Sequence, residues 1–103
     1  MDTVHVKVFR TAPDIFIPTA FTPNGDGLND RLTPIPVGVT KIDYFRVFDR
    51  WGRLVFATDR IGEGWDGTLN SVPQGSDGFA WEVRGKDYTG KIIAKKGLTT
   101  LIR

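Results

Sequence analysis

Seven consecutive residues hold the densest set of ligating side chains in this 103-residue sequence. Asn24, Asp26, Asn29 and Asp30 place four side-chain oxygen donors within Asn24-Gly25-Asp26-Gly27-Leu28-Asn29-Asp30. Calcium takes about six to eight such oxygens, and short calcium loops supply them from alternating acids and amides before a glycine. On the spacing of an EF-hand loop, Asn24 takes the third position, Asp26 the fifth, Gly27 the sixth and Asp30 the ninth. The first and twelfth positions fall on Thr22 and Thr33, so the leading acid and the closing bidentate Glu are missing. A calcium loop at Asn24, Asp26, Asn29 and Asp30 is thus one reading, and Ca2+ the one cofactor suggested. The other, which leads for want of the bidentate acid, is an Asx/Gly turn whose side chains bond their own backbone. Nothing else in the sequence requires a cofactor.

Three tryptophans offer a different chemistry, since exposed indoles stack on sugar faces. Trp81 alternates in step with Phe79 and Val83 and belongs to a core. Trp51, at a turn, and Trp65, in a Gly-rich loop, are the candidates for a carbohydrate-binding or adhesive surface. Trp is usually well buried in small domains, which favours a core role for these too.

Catalytic chemistry finds few supports. There is no Cys, and the one His, His5, lies near the start of the chain. Disulfides and Cys-ligated metals are excluded, and a single His argues against a His-rich metal centre or a histidine-based triad. Ser71 and Ser76 are the only serines and share one turn-rich stretch. Glu63 and Asp66 form a loop carboxylate pair of a kind any surface carries. Gly25-Asp26-Gly27 lacks the strand–helix setting that gives a phosphate loop its meaning. The expectation is a protein that is not an enzyme.

The elements that must position these residues are strands. Gly and Pro make up eighteen of the 103 residues, too many for a helix bundle and suited to short strands and turns. Val4, Val6 and Val8 alternate with polar residues until Thr11-Ala12-Pro13 interrupts them. Asp14–Ile17, Ile42–Phe48, Arg53–Ala57, Phe79–Arg84 and Ile92–Ile102 read as further strands, the last with a bulge at Gly97. Thr68–Asn70 holds at most a stub. No 3.6-residue period persists. The pattern predicts an all-β, Ig-like antiparallel β-sandwich of about seven strands.

The net charge of +2 is too weak for a nucleic-acid binder. After Glu82, however, six basic residues face one acid, Asp87. The plainer reading is a charged edge that resists aggregation, the alternative a contact surface. No apolar run reaches the roughly 20 residues that span a bilayer, and no signal-peptide pattern follows Met1.

Phe16-Ile17-Pro18-Thr19-Ala20-Phe21-Thr22-Pro23-Asn24-Gly25-Asp26-Gly27-Leu28-Asn29-Asp30 resembles the opening of the gliding motility-associated C-terminal domain of Bacteroidetes, the type B sorting domain of the type IX secretion system. Four further blocks follow in the family's order. They are Phe48-Asp49-Arg50-Trp51-Gly52 with Val55-Phe56, Trp65-Asp66-Gly67, Pro73 with Gly78-Phe79-Ala80-Trp81, and Lys96-Gly97-Leu98-Thr99-Thr100-Leu101-Ile102-Arg103. The family often has Asn at the places of Thr19 and Asp49, and Tyr near Phe79 and Trp81.

The resemblance runs over residues 14–103 and implies that 1–13 end a preceding module or form an N-terminal extension strand. It implies a sorting signal that the type IX machinery reads in the periplasm to export a cell-surface or secreted cargo. Its partners would be that machinery and a cognate outer-membrane barrel protein, with no nucleic acid and no direct membrane insertion, the domain itself being a monomer. The basic last strand is the expected recognition element, through Lys91, Lys95, Lys96, Gly97, Leu101 and Arg103, by strand addition.

Overall fold

A computed structural model describes residues 12–25, 27 and 30–103. The expected first strand, Val4–Val8, and the boundary of an upstream module lie outside the described residues. The described residues form nine strands: β1 (Asp14–Phe16), β2 (Ala20–Phe21), β3 (Ile35–Val37), β4 (Val39–Phe48), β5 (Leu54–Thr58), β6 (Thr68–Leu69), β7 (Val72–Pro73), β8 (Asp77–Asp87) and β9 (Ile92–Leu101). Among the described residues there is no helix.

β8 carries the organising pattern. Phe79, Trp81, Val83, Gly85 and Asp87 are buried, while their alternate neighbours are only partly covered. This period-two face sets the inner side of a five-stranded sheet of order β2-β9-β8-β4-β5. β4 adds Ile42, Phe45 and Val47 to the same core, bending through two register shifts against β8. β1 pairs with β3, and β6 with β7, as two-stranded ribbons. Ile15 of β1 reaches the inner face, where a Cβ on Gly85 would stand 3.2 Å from its Cδ1. At the other end Trp65 packs against Phe21 and Phe79, with ring centroids 5.5 and 4.7 Å away.

The prediction of an all-antiparallel arrangement of about seven strands needs correction. Nine strands form among the described residues, and β2 pairs with β9 in parallel, Ala20 opposite Thr100 and Phe21 opposite Leu101. Alternation in a sequence says which side chains face inward. It does not say which strand is the neighbour or which way that neighbour runs.

The expected bulge at Gly97 is also absent. β8 and β9 stay in unbroken register from Asp77–Leu101 to Lys86–Ile92, with Gly97 opposite Trp81. The glycine serves close approach instead: a Cβ there would stand 2.8 Å from Cζ2 of Trp81. The indole lies across the place where a side chain would be, an aromatic cross-strand cover for a strand glycine.

Candidate functional site

Two hairpin turns are built alike. In Asp49-Arg50-Trp51-Gly52-Arg53 the Asp49 carboxylate accepts the N–H groups of Trp51 and Arg53, both at 2.9 Å, and Arg53 Nε at 3.0 Å. In Asp87-Tyr88-Thr89-Gly90-Lys91 the Asp87 carboxylate accepts the N–H groups of Thr89 at 2.8 Å and Lys91 at 2.9 Å, and the Thr89 hydroxyl at 2.6 Å. In each, the glycine N–H donates to the aspartate carbonyl at 3.0 Å. Gly52 and Gly90 have φ of 80° and 88°, the left-handed conformation that closes a type I turn with a bulge.

The carboxyls respond to this setting. Burial pushes Asp49 up, but the N–H groups of Arg53 and Trp51 and the Arg53 guanidinium outweigh it, so its pKa falls below the ordinary value. For Asp87 the Thr89 hydroxyl leads, burial opposes, and the N–H groups of Lys91 and Thr89 complete the lowering. Asp66 is lowered chiefly by the Thr68 hydroxyl, and Asp14 by the Ile15 N–H and the Lys95 ammonium. All four are committed to turns and ion pairs within the chain.

Of the predicted calcium ligands, Asp26 and Asn29 lie outside the described residues, and Asn24 is exposed. Asp30 turns both carboxylate oxygens inward on its own loop, accepting Gly25 N–H at 3.0 Å and Gly27 N–H at 2.7 Å. Among the described residues no cluster of His, Cys, Asp or Glu could hold a metal ion.

Trp51 stands 80% exposed at its hairpin tip, with the Arg50 guanidinium 5.3 Å from its ring centre. Trp65 is not a stacking platform: it is 1% exposed. Its Nε1 donates to the Thr68 carbonyl at 2.8 Å, and its backbone pairs with Leu32 at 2.8 and 3.1 Å. A Gly-rich loop looks open in sequence, but this one is folded inward by that bridge.

The expected recognition residues divide sharply. Lys91, Lys95 and Lys96 are exposed, and Gly97 is partly covered. Leu101 is fully buried core and offers nothing to a partner. Strand parity decides this, since Leu101 shares the inward face with Thr99 and Gly97. The Arg103 side chain is turned back onto the fold, its guanidinium donating to the carbonyls of Gly67 at 3.0 Å, Pro23 at 3.3 Å and Gln74. Arg103 N donates to the Ser76 hydroxyl at 2.8 Å. It clasps three loops rather than presenting a charge.

The sequence names the last strand as an edge for strand addition, but not which stretch of it is free. β9 pairs with β8 along its length, but on its other side only Thr100 and Leu101 meet β2. From Ile92 to Leu98 that edge has no strand partner among the described residues. Pro18 precedes β2 and has no N–H to donate, and the chain before it leaves to pair with β3. Lys95 pairs with Asp14 at 3.1 Å, whereas Lys91 and Lys96 have no ion-pair partner among the described residues. Leu98 is 74% exposed.

Among the described residues, this Cys-free β-domain ties Asp14, Asp49, Asp66 and Asp87 into its own turns and ion pairs and leaves the β9 edge from Ile92 to Leu98 without a strand partner. The family model for the CHU_C type IX secretion signal domain matches residues 15–97. The chain belongs to that family, and its role is that of a sorting signal read by the type IX secretion machinery. No curated protein and no solved structure matches the chain. The carbohydrate-binding alternative gains no support from this family. No helix among the described residues is long and apolar enough to cross a membrane.

Proposed function

We propose that residues 14–103 act as a folded monomeric address, without catalysis, read at the open edge of β9 by a cognate outer-membrane barrel protein of the secretion machinery. The cargo passes through the periplasm and ends at the cell surface or outside. The two ribbons over the inner face of the large sheet support reading the fold as an Ig-like sandwich with a broken second layer. Asp30 is read as a turn-closing acid that accepts the N–H groups of Gly25 and Gly27, with no ion required.

The observation that carries this is the run Ile92–Leu98, an edge beside Lys91 and Lys96 that has no strand partner among the described residues. An exposed edge is a liability that proteins usually blunt, and lysines on it keep copies apart while leaving the edge available. A partner strand can then add by main-chain hydrogen bonds.

Deleting residues 91–103 does not test this, because it removes Leu101 from the core and the Arg103 clasp. The test is a reporter fused to this chain in a native host, with Lys91→Glu and Lys96→Glu together. Both side chains are exposed, so folding should persist while export falls several-fold and reporter accumulates in the periplasm. Export equal to wild type would show that the signal is read elsewhere.

A further inference from the structure

Three glycines lie within the described strands, and the fold accounts for two of them. A Cβ on Gly85 would stand 2.6 Å from the Lys41 carbonyl oxygen, and one on Gly97 would stand 2.8 Å from Cζ2 of Trp81. Gly78 has no such reason. Beyond its chain neighbours, a Cβ there would meet only the Thr99 carbonyl oxygen, at 3.9 Å. Its φ lies outside the left-handed region, and its register opposite Thr100 is unbroken. A glycine inside a strand weakens it, and one that neither a bulge nor a neighbour explains marks a place of close approach from outside.

Gly78 sits on the outer face of the large sheet. The residues of β8 that alternate with the buried ones are Gly78, Ala80, Glu82, Arg84 and Lys86. Across this face Phe48, Ala80 and Leu98 stand directly opposite one another on β4, β8 and β9, with Leu54 of β5 opposite Phe48. Leu98 is 74% exposed and Leu54 48%. Phe48 and Leu98 wall a hollow of about 570 Å³, and Gly78 and Ala80 form its floor.

The inner face shows what such a floor takes. There the Trp81 ring lies across Gly97, an aromatic face covering a strand glycine. Over Gly78 the chain supplies no ring within 4 Å of the Cβ position. Aromatic side chains also bury the most area in a pocket of this kind, and they lead among the residues that anchor interfaces.

Charge narrows the carrier of that ring. Lys41 stands opposite Lys86, and Arg46 and Lys96 stand on either side of Glu82, all on the outer face. The acids of this face are already bound, Glu82 by Arg46 at 3.0 Å and Asp43 by Arg84 at 3.3 Å. Lys96, one row from the hollow, has no ion-pair partner among the described residues. A second copy docked face to face would set these cations against one another, whereas an acidic segment would match them.

We propose that the hollow over Gly78 and Ala80 receives an aromatic side chain of the protein that reads the signal, carried on an acidic segment. The contact adjoins the β9 edge at Leu98 but stands on the sheet face and does not depend on strand addition.

The test uses the whole chain in two settings. In a native host, the fused reporter carries Gly78→Leu or Ala80→Leu, each of which fills the hollow from its floor. Ala57→Leu, opposite Arg46 on the same face, is the control. Both filling variants should melt at or above wild type and export several-fold less, while Ala57→Leu exports normally. In solution, the isotopically labelled chain is titrated with three capped tripeptides: glutamate–tryptophan–glutamate, glutamate–alanine–glutamate and lysine–tryptophan–lysine. Only the first should shift the amides of Gly78, Ala80 and Leu98, and Gly78→Leu should abolish the shift.

Normal export by both filling variants, or no shift with any peptide, would overturn the proposal. Equal shifts with the alanine peptide would overturn the aromatic occupant, and equal shifts with the lysine peptide the acidic carrier. Self-association of the wild-type chain, abolished by Gly78→Leu, would assign the hollow to a second copy instead. Filling variants that fail while Lys91→Glu with Lys96→Glu exports normally would overturn the edge reading and keep the aromatic contact. The reverse pattern would keep the edge and remove the hollow.

Discussion

Asp49 and Asp87 are the residues on which the two long hairpins close, and both act as anions. Each accepts main-chain N–H groups that would otherwise be unpaired at a turn. Their folded pKa values lie below the ordinary 3.8. A group with a depressed folded pKa adds stability that is present above the unfolded value and lost as pH falls through the folded one. Unfolding free energy should therefore be flat from neutrality to about pH 5 and decline below the ordinary carboxylate value. In Asp49→Asn/Asp87→Asn the stability at pH 7 should drop and the decline below pH 4 should become shallower. Denaturant melts at pH 7, 5, 4 and 3 check this, and an unchanged acid slope would assign the pH dependence to other carboxylates.

The hairpins show at the scale of elements why the blocks of the resemblance recur as they do in this chain. Asp-x-x-Gly-Arg and Asp-x-x-Gly-Lys are one turn written twice, at opposite ends of the sheet because β4 and β8 run antiparallel. Asp49-Arg50-Trp51-Gly52 and Asp87-Tyr88-Thr89-Gly90 each read as a turn from sequence, since an Asp precedes a Gly that is free to take φ > 0. Their identity was not visible there, because it lies in the hydrogen bonds that each carboxylate accepts. The turn geometry predicts the effect of Gly52→Ala and Gly90→Ala. An L-residue in the left-handed region costs about 1–2 kcal/mol, and no neighbour lies within 4 Å of either Cβ position, so no clash adds to it. Each variant should melt lower by roughly 4–16 °C at constant fold, about 4–8 °C per kcal/mol for a domain of this size. Calorimetry reads the shift directly, and an unshifted melt would mean that the turn relaxes to another type.

At the scale of the whole molecule, the last residue of the chain ties three separate loops together. Arg103 joins Pro23 after β2, Gly67 after the Trp65 bridge and Gln74 after β7. Gly67 sits within this junction, where a Cβ would find Arg103 Nη2 at 3.0 Å, Leu101 Cδ1 at 3.1 Å and Pro23 Cγ at 3.1 Å. Leu101→Ala should cost about 2–5 kcal/mol, the range for an emptied core site. Arg103→Ala should cost less, because its guanidinium is partly solvated, and it should raise amide exchange in all three loops together. Exchange raised in only one loop would show that the clasp does not couple them. Export of cargo carrying Leu101→Ala should fail through misfolding, whereas the lysine-to-glutamate variants should fail while folded. Thermal melts of the same proteins separate the two causes.

The sequence by itself determined the class of fold, the inward face of β8 and the two turns. Alternation, glycine and aspartate are local signals, written in the residues that obey them. It also carried the family, because the blocks that mark it are largely the residues that build turns and core. The tertiary structure alone decided that β2 joins β9 in parallel, that Trp65 and Leu101 are interior, and that Arg103 folds back. It decided too that Lys91 and Lys96 flank an edge without a strand partner among the described residues. Each of these depends on which distant segment becomes the neighbour. Pairing partners are chosen by how the faces pack together, a property no short stretch of residues contains.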